Sequence, residues 1–174
     1  MLEPKPVEII YRDCPFCDKD HDVEHHIEIE LMPVKGEDIE CVVEYFRCPI
    51  TDCEDGDSWN PAGIADENLL RARDAYRVKH GLLTSSQIID IQKKYDLTQE
   101  ELSNLLGWED TTVSKYETKL IQEEAHDNLL KMIMDNPSFA LSELEMHKAG
   151  FSDRRYEEIK SKLSVNDNME ATVC

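Results

Sequence analysis

The segment that decides the predicted fold is residues 97–117, LTQEELSNLLGWEDTTVSKYE. Thr98 is a typical N-cap residue, and Glu101 stands three positions later, which is the capping-box pattern that begins a helix. Leucines then recur at helical spacing, and Gly107 is a typical residue at the end of a helix. The segment therefore begins with a short capped helix that ends in a tight turn.

A second helix is predicted directly after this turn, which Trp108 begins as an apolar anchor. Val113 and Tyr116 are three residues apart and are predicted to face inward. The polar residues left on the outward face are Thr111, Thr112, Ser114 and Lys115. Two short helices joined by a tight turn, the second with a polar outward face, form the layout of a DNA-binding helix-turn-helix.

More helices are predicted on both sides of this segment. Thr84 caps a helix over residues 85–95, and another helix over 124–134 closes the bundle before Asn136-Pro137 ends it. The isoleucines predicted to form the buried face of the first of these helices are Ile88, Ile89 and Ile91. Two further amphipathic helices, over 138–147 and 152–163, are expected to dock on the bundle or to support dimerisation.

Cysteines in the first third of the chain predict a structural zinc site. Cys14 and Cys17 are separated by two residues, a gap that lets a tight turn direct both sulfurs at one ion. Cys48 and Cys53 form a second pair, with a wider gap of four residues. We therefore predict that Cys14, Cys17, Cys48 and Cys53 bind Zn²⁺, since a small fold with little apolar surface needs such a crosslink.

The sequence between the two cysteine pairs predicts a β-hairpin. Residues 26–31 alternate strictly between polar and apolar, and residues 39–46 are rich in β-branched and aromatic side chains. Residues 33–38 supply the turn. A hairpin flanked by metal-binding cysteines is typical of a zinc ribbon, whereas residues 1–10 predict only an extended lead-in.

Other metal and thiol interpretations of this region compete with the four-cysteine site. Cys41 lies within the second predicted strand, which favours a small buried hydrophobe over a ligand. Three histidines can complete a mixed site, but they are interpreted as surface residues on an acidic loop: His21, His25 and His26. A redox role for Cys14 and Cys17 requires a strand-to-helix junction, which the pattern does not predict.

The charge of the chain is strongly acidic and unevenly distributed. The formal net charge of the 174 residues is -19, and residues 1–57 contain 17 acidic against 5 basic residues. Such a charge opposes binding to phosphates, so the acidic N-terminal module suits a basic protein partner better than nucleic acid. The simpler alternative is that the acidity only keeps the chain soluble.

Several motifs in order resemble a known family. The motifs within residues 97–117 are Thr98-Gln99-Glu100-Glu101-Leu102, Leu105-Leu106-Gly107-Trp108 and Val113-Ser114-x-Tyr116-Glu117. They resemble the Xre (Cro/repressor-type) helix-turn-helix. With residues 74–84, residues 125–130 and the cysteine-rich N-terminus, the chain resembles the YgiT/MqsA-type antitoxin and regulator family, which joins a zinc finger to an Xre domain.

The resemblance implies an antitoxin-like transcriptional regulator that represses its own operon. It implies a homodimer on palindromic operator DNA, and a cognate toxin, expected to be basic, bound by the zinc-stabilised N-terminal module. The residues that it places at DNA are Gln99, Asp110, Thr111, Thr112, Ser114 and Lys115. Glu109 and Asp110 depart from the basic or neutral residues usual there, and helix capping is an alternative role for them.

Two other functions remain open from the sequence. One is a zinc-containing transcription factor without a toxin partner, and the other is a protein-interaction or DNA-mimic module with a degenerate helix-turn-helix. No glycine-rich phosphate loop, GxSxG or HExxH motif occurs, so we predict that the protein is not an enzyme. No signal peptide and no membrane-spanning apolar run is recognisable, which predicts a cytoplasmic protein with reduced thiols.

The predicted fold class is mainly α with a small β zinc-ribbon domain, in which an N-terminal β-hairpin zinc finger precedes an Xre-type helical bundle. The predicted domains are a zinc-ribbon-like domain at 1–57, a linker and connecting helix at 58–83, the helix-turn-helix domain at 84–136, a helical extension at 137–163 and a disordered tail at 164–174.

Overall fold

The computed structural model of the protein describes residues 5–50 and 58–170, with side chains described as far as residue 164. The chain divides into two compact units, Met1–Tyr76 and Arg77–Cys174. About half of the described residues are helical, and the strands form one small antiparallel sheet in the first unit. The prediction of a mainly helical chain with a small N-terminal β module is thereby confirmed at this level.

The first unit contains a four-stranded sheet and most of one helix. The strands follow chain order in the sheet and are β1 (Glu8–Cys14), β2 (Lys19–Val34), β3 (Glu37–Arg47) and β4 (Ser58–Trp59). Lys35 and Gly36 form the two-residue turn of the β2–β3 hairpin, and both have positive φ, as such hairpins prefer. The predicted hairpin is therefore present.

Two local predictions in this unit were wrong. The segment predicted as an extended lead-in contains the first three residues of β1, which pairs with the first part of β2. The segment predicted as an acidic loop is part of β2, and His26 in it is only 1% exposed. Both errors arise because polar, acidic stretches lack a clear alternation of their own, and the pairing with a neighbouring strand decides their conformation.

The two faces of the β2–β3 hairpin have different surroundings. On one face, Cys41 and Val43 are buried against Ala72 of helix α1 (Ala62–Lys79). On the other face, Ile27, Ile29 and Leu31 of β2 are 46%, 66% and 66% exposed. Helix α1 therefore packs against the face from which Glu28 and Glu30 project, whereas the isoleucine and leucine side chains of β2 lie on the opposite face and remain at the surface.

The second unit is helical and begins within the last turn of α1. Its other helices are α2 (Ser85–Tyr95), α3 (Gln99–Leu105), α4 (Thr112–Thr118), α5 (Glu124–Asp135), α6 (Pro137–Met146) and α7 (Asp153–Glu170), with a 3-10 turn at Lys148–Gly150. Thr84 and Thr98 each form a complete capping box, with Gln87 and Glu101 respectively. The box at Thr98 was predicted from the sequence and is confirmed.

A single apolar core joins the helices of the second unit. Ile88 and Ile91 of α2 are fully buried, whereas Ile89 is half-buried. The C-terminal helices contribute five further side chains to the same core: Ala140, Leu144, Tyr156, Ile159 and Leu163. Of the two roles expected for α6 and α7, docking on the bundle is therefore the one that their packing shows.

The described ranges differ from the predicted domains at two points. Strand β4 lies in the segment that was predicted as a linker, and α7 continues to Glu170, beyond the predicted start of the disordered tail. Within residues 5–50 and 58–170, no helix combines the length and the apolar character that a membrane-spanning helix requires.

Candidate metal centre and the surface of α4

Three cysteines and one histidine converge at one end of the sheet. Cys14 is the last residue of β1, and Cys17 lies in the turn that leads to β2. Cys48 directly follows the end of β3. Together with His21 near the start of β2, each of these residues places one ligand atom within 4.8 Å of those of the other three.

The turn that holds the first two cysteines has a defined backbone geometry. The amide of Asp18 donates a hydrogen bond to the carbonyl oxygen of Cys14 at 3.0 Å, and Asp18 adopts a positive φ of 53°. Asp tolerates this left-handed conformation better than most residues. The turn thus brings Cys17 back toward Cys14, as its spacing predicted, but the chain leaves it as a strand and not as a helix.

His21 is oriented as a metal-binding histidine would be. Its Nδ1 lies 2.7 Å from the carbonyl oxygen of Asp22, where only a protonated nitrogen makes a hydrogen bond. The proton is therefore assigned to Nδ1, and the lone pair belongs to Nε2. This Nε2 lies 3.6 Å from Sγ of Cys48, so the unprotonated nitrogen faces the thiols.

The distances between these donors fit a tetrahedral zinc ion. Ligand sulfurs that each lie about 2.3 Å from zinc are about 3.8 Å from one another. The Sγ atoms of Cys17 and Cys48 lie 3.5 Å apart. Three thiols and one neutral imidazole are also a common donor set of structural zinc sites, so the residues present fit this ion.

The electrostatics of the cluster agree with a need for a cation. The hydrogen bond with Cys48, together with loss of hydration and the nearby Cys14, raises the pKa of Cys17 to about 11. Thiolates so close together repel one another. A bound dication favours deprotonation of the thiols, and its positive charge offsets the repulsion between the resulting thiolates.

The fourth residue of the described cluster is His21, which was not among the predicted ligands. Cys14, Cys17 and Cys48 were predicted as ligands and are brought together, whereas Cys53 lies outside the described residues. His21 was interpreted as a surface residue, and the structure places it in the cluster. Its signal in the sequence was its position four residues after Cys17, which becomes meaningful only once β2 is known to begin at Lys19.

The remaining thiol in this region has a different environment. Cys41 is 7% exposed and packs with Val43 and Ala72, which confirms the prediction of a small buried hydrophobe. Burial raises the pKa of its thiol. The Cys14–Cys17 pair, for its part, occupies the tip of a β-hairpin, so it lacks the helix N-terminus that lowers thiol pKa values in redox motifs.

A second candidate site is the outward surface of α4. Val113 is fully buried and Tyr116 is 8% exposed, so the inward face of the helix is the predicted one. Thr111 and Lys115 are exposed, and Thr112 and Ser114 are half-buried. A hydrogen bond from the Val113 amide to Oγ of Ser103 fixes the start of α4 against α3.

Aromatic rings support the turn between α3 and α4. Trp108 stacks on the ring of His126 with centroids 4.2 Å apart, and its edge meets the ring of Tyr116. The hydroxyl of Tyr116 is hydrogen-bonded to Nδ1 of His126 at 2.7 Å. Trp108 is therefore an anchor of the turn, as predicted, and it ties α4 to α5.

Gln99 has an internal partner in the structure. Its side-chain amide, like that of Gln92, donates to the carboxylate of Glu117, which is only 6% exposed. Burial raises the pKa of Glu117, and the two hydrogen bonds lower it in part. Each glutamine thus uses one of its two side-chain N–H donors inside the bundle, which leaves the second donor and the carbonyl oxygen for other contacts.

The acidic pair before α4 lies in the turn. Glu109 and Asp110 are exposed, and Nζ of Lys115 lies 4.0 Å from a carboxylate oxygen of Glu109. The N-cap residue is Thr111, whose side chain makes no capping hydrogen bond, and no acidic residue lies in the first turn of the helix. Glu109 therefore partly neutralises the charge of Lys115, the lysine on the outward face of α4.

Comparisons with models of known protein families and with curated proteins find no match for this chain. The resemblance to the YgiT/MqsA-type family thus rests on the motifs quoted above.

Proposed function

We propose that this protein is an antitoxin-like transcriptional regulator that binds operator DNA as a homodimer through α4 and binds a basic protein partner through its acidic first unit. The observation that carries the DNA part is the helix pair α3–α4. Its inner side chains are buried, while the outward face of α4 presents exposed Thr111 and Lys115. Such a face is the element that enters the major groove in helix-turn-helix proteins.

In this proposal zinc has a structural role. Cys14, Cys17, Cys48 and His21 would hold the ion, which crosslinks the β1–β2 turn to the end of β3. The four side chains would fill all positions of a tetrahedral ion, which leaves none for a substrate. The metal thereby stabilises the acidic unit but does not itself contact the partner, which binds to protein side chains and backbone.

DNA binding is proposed to be strongly dependent on salt. Lys115 is 46% exposed and is the cation of the outward face, and Glu109 beside it is 87% exposed. Few cations and a net charge of -19 make each phosphate contact important. Raising the salt concentration is therefore expected to release the DNA.

A gel shift with the promoter fragment upstream of the gene tests the DNA part. We expect a shift at low salt that Lys115→Glu abolishes, because it places a third carboxylate at the phosphates, with zinc content unchanged. The matched control is Lys93→Glu, since Lys93 is an exposed lysine of α2 that pairs only with a neighbouring aspartate among the contacts described. Absence of a shift at low and moderate salt would refute the regulator and favour the DNA-mimic alternative.

Metal analysis of purified variants tests the zinc site. We expect one zinc per chain in the wild type and loss of zinc in Cys14→Ser, Cys48→Ser and His21→Ala. Cys41→Ala removes a buried thiol outside the cluster and is expected to retain the metal. Retention of zinc by His21→Ala together with its loss in Cys53→Ser would show that Cys53, as first predicted, is the fourth ligand.

Co-purification with the product of a neighbouring toxin-sized gene tests the partner. Recovery of a basic protein with the tagged full-length chain supports the antitoxin-like function. A gene neighbourhood without such a protein, together with DNA binding, would favour a transcription factor that has no toxin partner.

A further inference from the structure

Strand β2 carries an apolar surface that no described part of the chain covers. Ile27, Ile29 and Leu31 lie on one face of the sheet, and Val42 of β3, which is 42% exposed, lies opposite Ile29. Helix α1 packs on the other face, against Cys41 and Val43. Four neighbouring apolar side chains exposed in this way are typical of an interaction surface.

The same part of β2 has a free edge. β1 pairs with β2 only as far as His25, and residues 26–34 continue with β3 on one side. Among residues 5–50 and 58–170, no strand pairs with this part of β2 on its other side. Unpaired backbone groups beside exposed apolar side chains form an edge that accepts an added strand.

The charges of the edge define which strand fits. Glu28 and Glu30 alternate with the three apolar residues of β2, so an added strand meets apolar and acidic positions in turn. Opposite charges across a strand pair stabilise it, and like charges destabilise it. A fitting strand therefore alternates apolar residues with lysine or arginine.

The same charges disfavour a second copy of this chain. Consider an antiparallel pair of β2 strands from two copies, with Ile29 opposite Ile29. Glu28 of each copy then lies opposite Glu30 of the other copy. Pairing of two β2 edges thus places four carboxylates together, whereas a basic strand neutralises them.

We propose that the free edge of β2, residues 27–31, binds an extended basic segment of a partner protein as an additional strand of the sheet. This inference rests on the proposed function, because it locates the basic partner of the acidic unit. Main-chain hydrogen bonds supply affinity, and the alternation of Ile27, Glu28, Ile29, Glu30 and Leu31 supplies specificity.

Fluorescence anisotropy with the full-length protein and a short labelled peptide of alternating valine and lysine tests this site. We expect Ile29→Thr to weaken binding at least about tenfold, because it removes apolar contact while keeping a β-branched residue. The matched control is Ile9→Thr, which changes an exposed isoleucine of β1 and is expected to alter binding less than about twofold. A peptide with the same composition, its lysines and valines in two blocks, is expected to bind more weakly than the alternating one.

The other outcomes overturn the site and separate it from the proposed function. If both peptides bind equally and Ile29→Thr has no effect, binding is driven by charge alone. That result would refute strand addition at β2 and would still agree with a basic partner. No binding of either peptide at low salt would refute both the edge and the basic partner. A dimer in sedimentation that Ile29→Thr dissociates would show that a second copy occupies the edge.

Discussion

Arg77, in the last turn of α1, is hydrogen-bonded to the C-terminal end of α4. Its side chain is fully buried and donates hydrogen bonds to the carbonyl oxygens of Tyr116 and Leu120 and to Oε1 of Gln122. Gln122 in turn donates to the carbonyl of Leu83. One guanidinium thus satisfies carbonyl groups at the C-terminal end of α4, where a helix has no internal donors.

Arg77→Ala is expected to lower the free energy of unfolding by about 3 kcal/mol, because it leaves several buried acceptors unpaired. Arg77→Lys should lose nearly as much, since an ammonium group lacks the planar fork that reaches acceptors in different directions. Chemical denaturation checks both variants. Arg154→Ala is the control, because Arg154 is 90% exposed, and a loss as large as that of Arg77→Ala would contradict this role.

Gly107 provides a second prediction for a single residue. It has a positive φ of 68°, and a Cβ there would lie 2.5 Å from Nε2 of His147. The ring of His147 is held, since its Nδ1 lies 3.0 Å from the carbonyl oxygen of Leu105. Gly107→Ala is therefore expected to cost more than the roughly 1–2 kcal/mol of the left-handed backbone alone.

Gly81→Ala is the matched control for Gly107, with a φ of 67° and open space around the added Cβ. Thermal unfolding of both variants isolates the cost of the contact with His147. His147→Ala in the Gly107→Ala background should recover part of the difference. Equal destabilisation by the two glycine substitutions would mean that His147 moves aside freely.

The candidate metal ligands were easiest to predict where local spacing alone brings them together. Cys14 and Cys17 are joined by one tight turn, so their spacing sufficed. His21 depends on the register of β2, in which it pairs with Arg12, and no local pattern reports that register. The position of Cys48 depends likewise on the β2–β3 hairpin, whose presence the alternation and the turn signal predicted, although its strands are longer and its turn is shorter than expected.

Among the elements, α3 and α7 are linked by an ion pair. Arg155 of α7 donates to both carboxylate oxygens of Glu101, at 2.6 and 3.0 Å, and also to the carbonyl oxygen of Asp96. Glu101 is at the same time the capping-box residue of α3. One carboxylate therefore begins α3 and holds the C-terminal helix.

This ion pair predicts an acid-sensitive part of the stability. The hydrogen bond from Arg155 holds the pKa of Glu101 below its ordinary value. The stabilisation is fully present above the unfolded-state pKa of about 4.3 and is lost as the pH falls through the lowered value in the folded state. Arg155→Ala is expected to cost about 1–2 kcal/mol at neutral pH.

Denaturation curves at neutral and acid pH check the ion pair. The difference between wild type and Arg155→Ala should shrink as the pH is lowered, while Arg154→Ala should stay close to wild type throughout. A difference that is constant with pH would assign the loss to packing and not to charge.

The helices were easier to predict than the strands. Capping boxes and leucine spacing are local, and they set the start of α2 and α3 to the residue. Strand β1 has no such signal, because its residues alternate poorly and its conformation depends on β2. The burial of α6 and α7 in the core of the second unit also depends on contacts distant in sequence.

For the whole molecule, the division into two compact units predicts two unfolding transitions. The unit Met1–Tyr76 contains the candidate metal ligands, whereas the unit Arg77–Cys174 has a large apolar core of its own. A chelator is therefore expected to lower the midpoint of one transition and to leave the other nearly unchanged. Calorimetry with and without chelator measures the two midpoints, and adding zinc back is the control. A single transition that shifts as a whole would contradict independent unfolding of the two units.

Asn68 of α1 has a consequence for where the sheet can accept a further strand. Its side chain accepts a hydrogen bond from the amide of Glu44 and donates one to the carbonyl of the same residue, as a neighbouring strand would. At this point the outer edge of β3 is already closed by a helix. Asn68 thus takes the place of a strand at this position of β3, so in the proposal above the guest strand pairs with β2 and not with this part of β3.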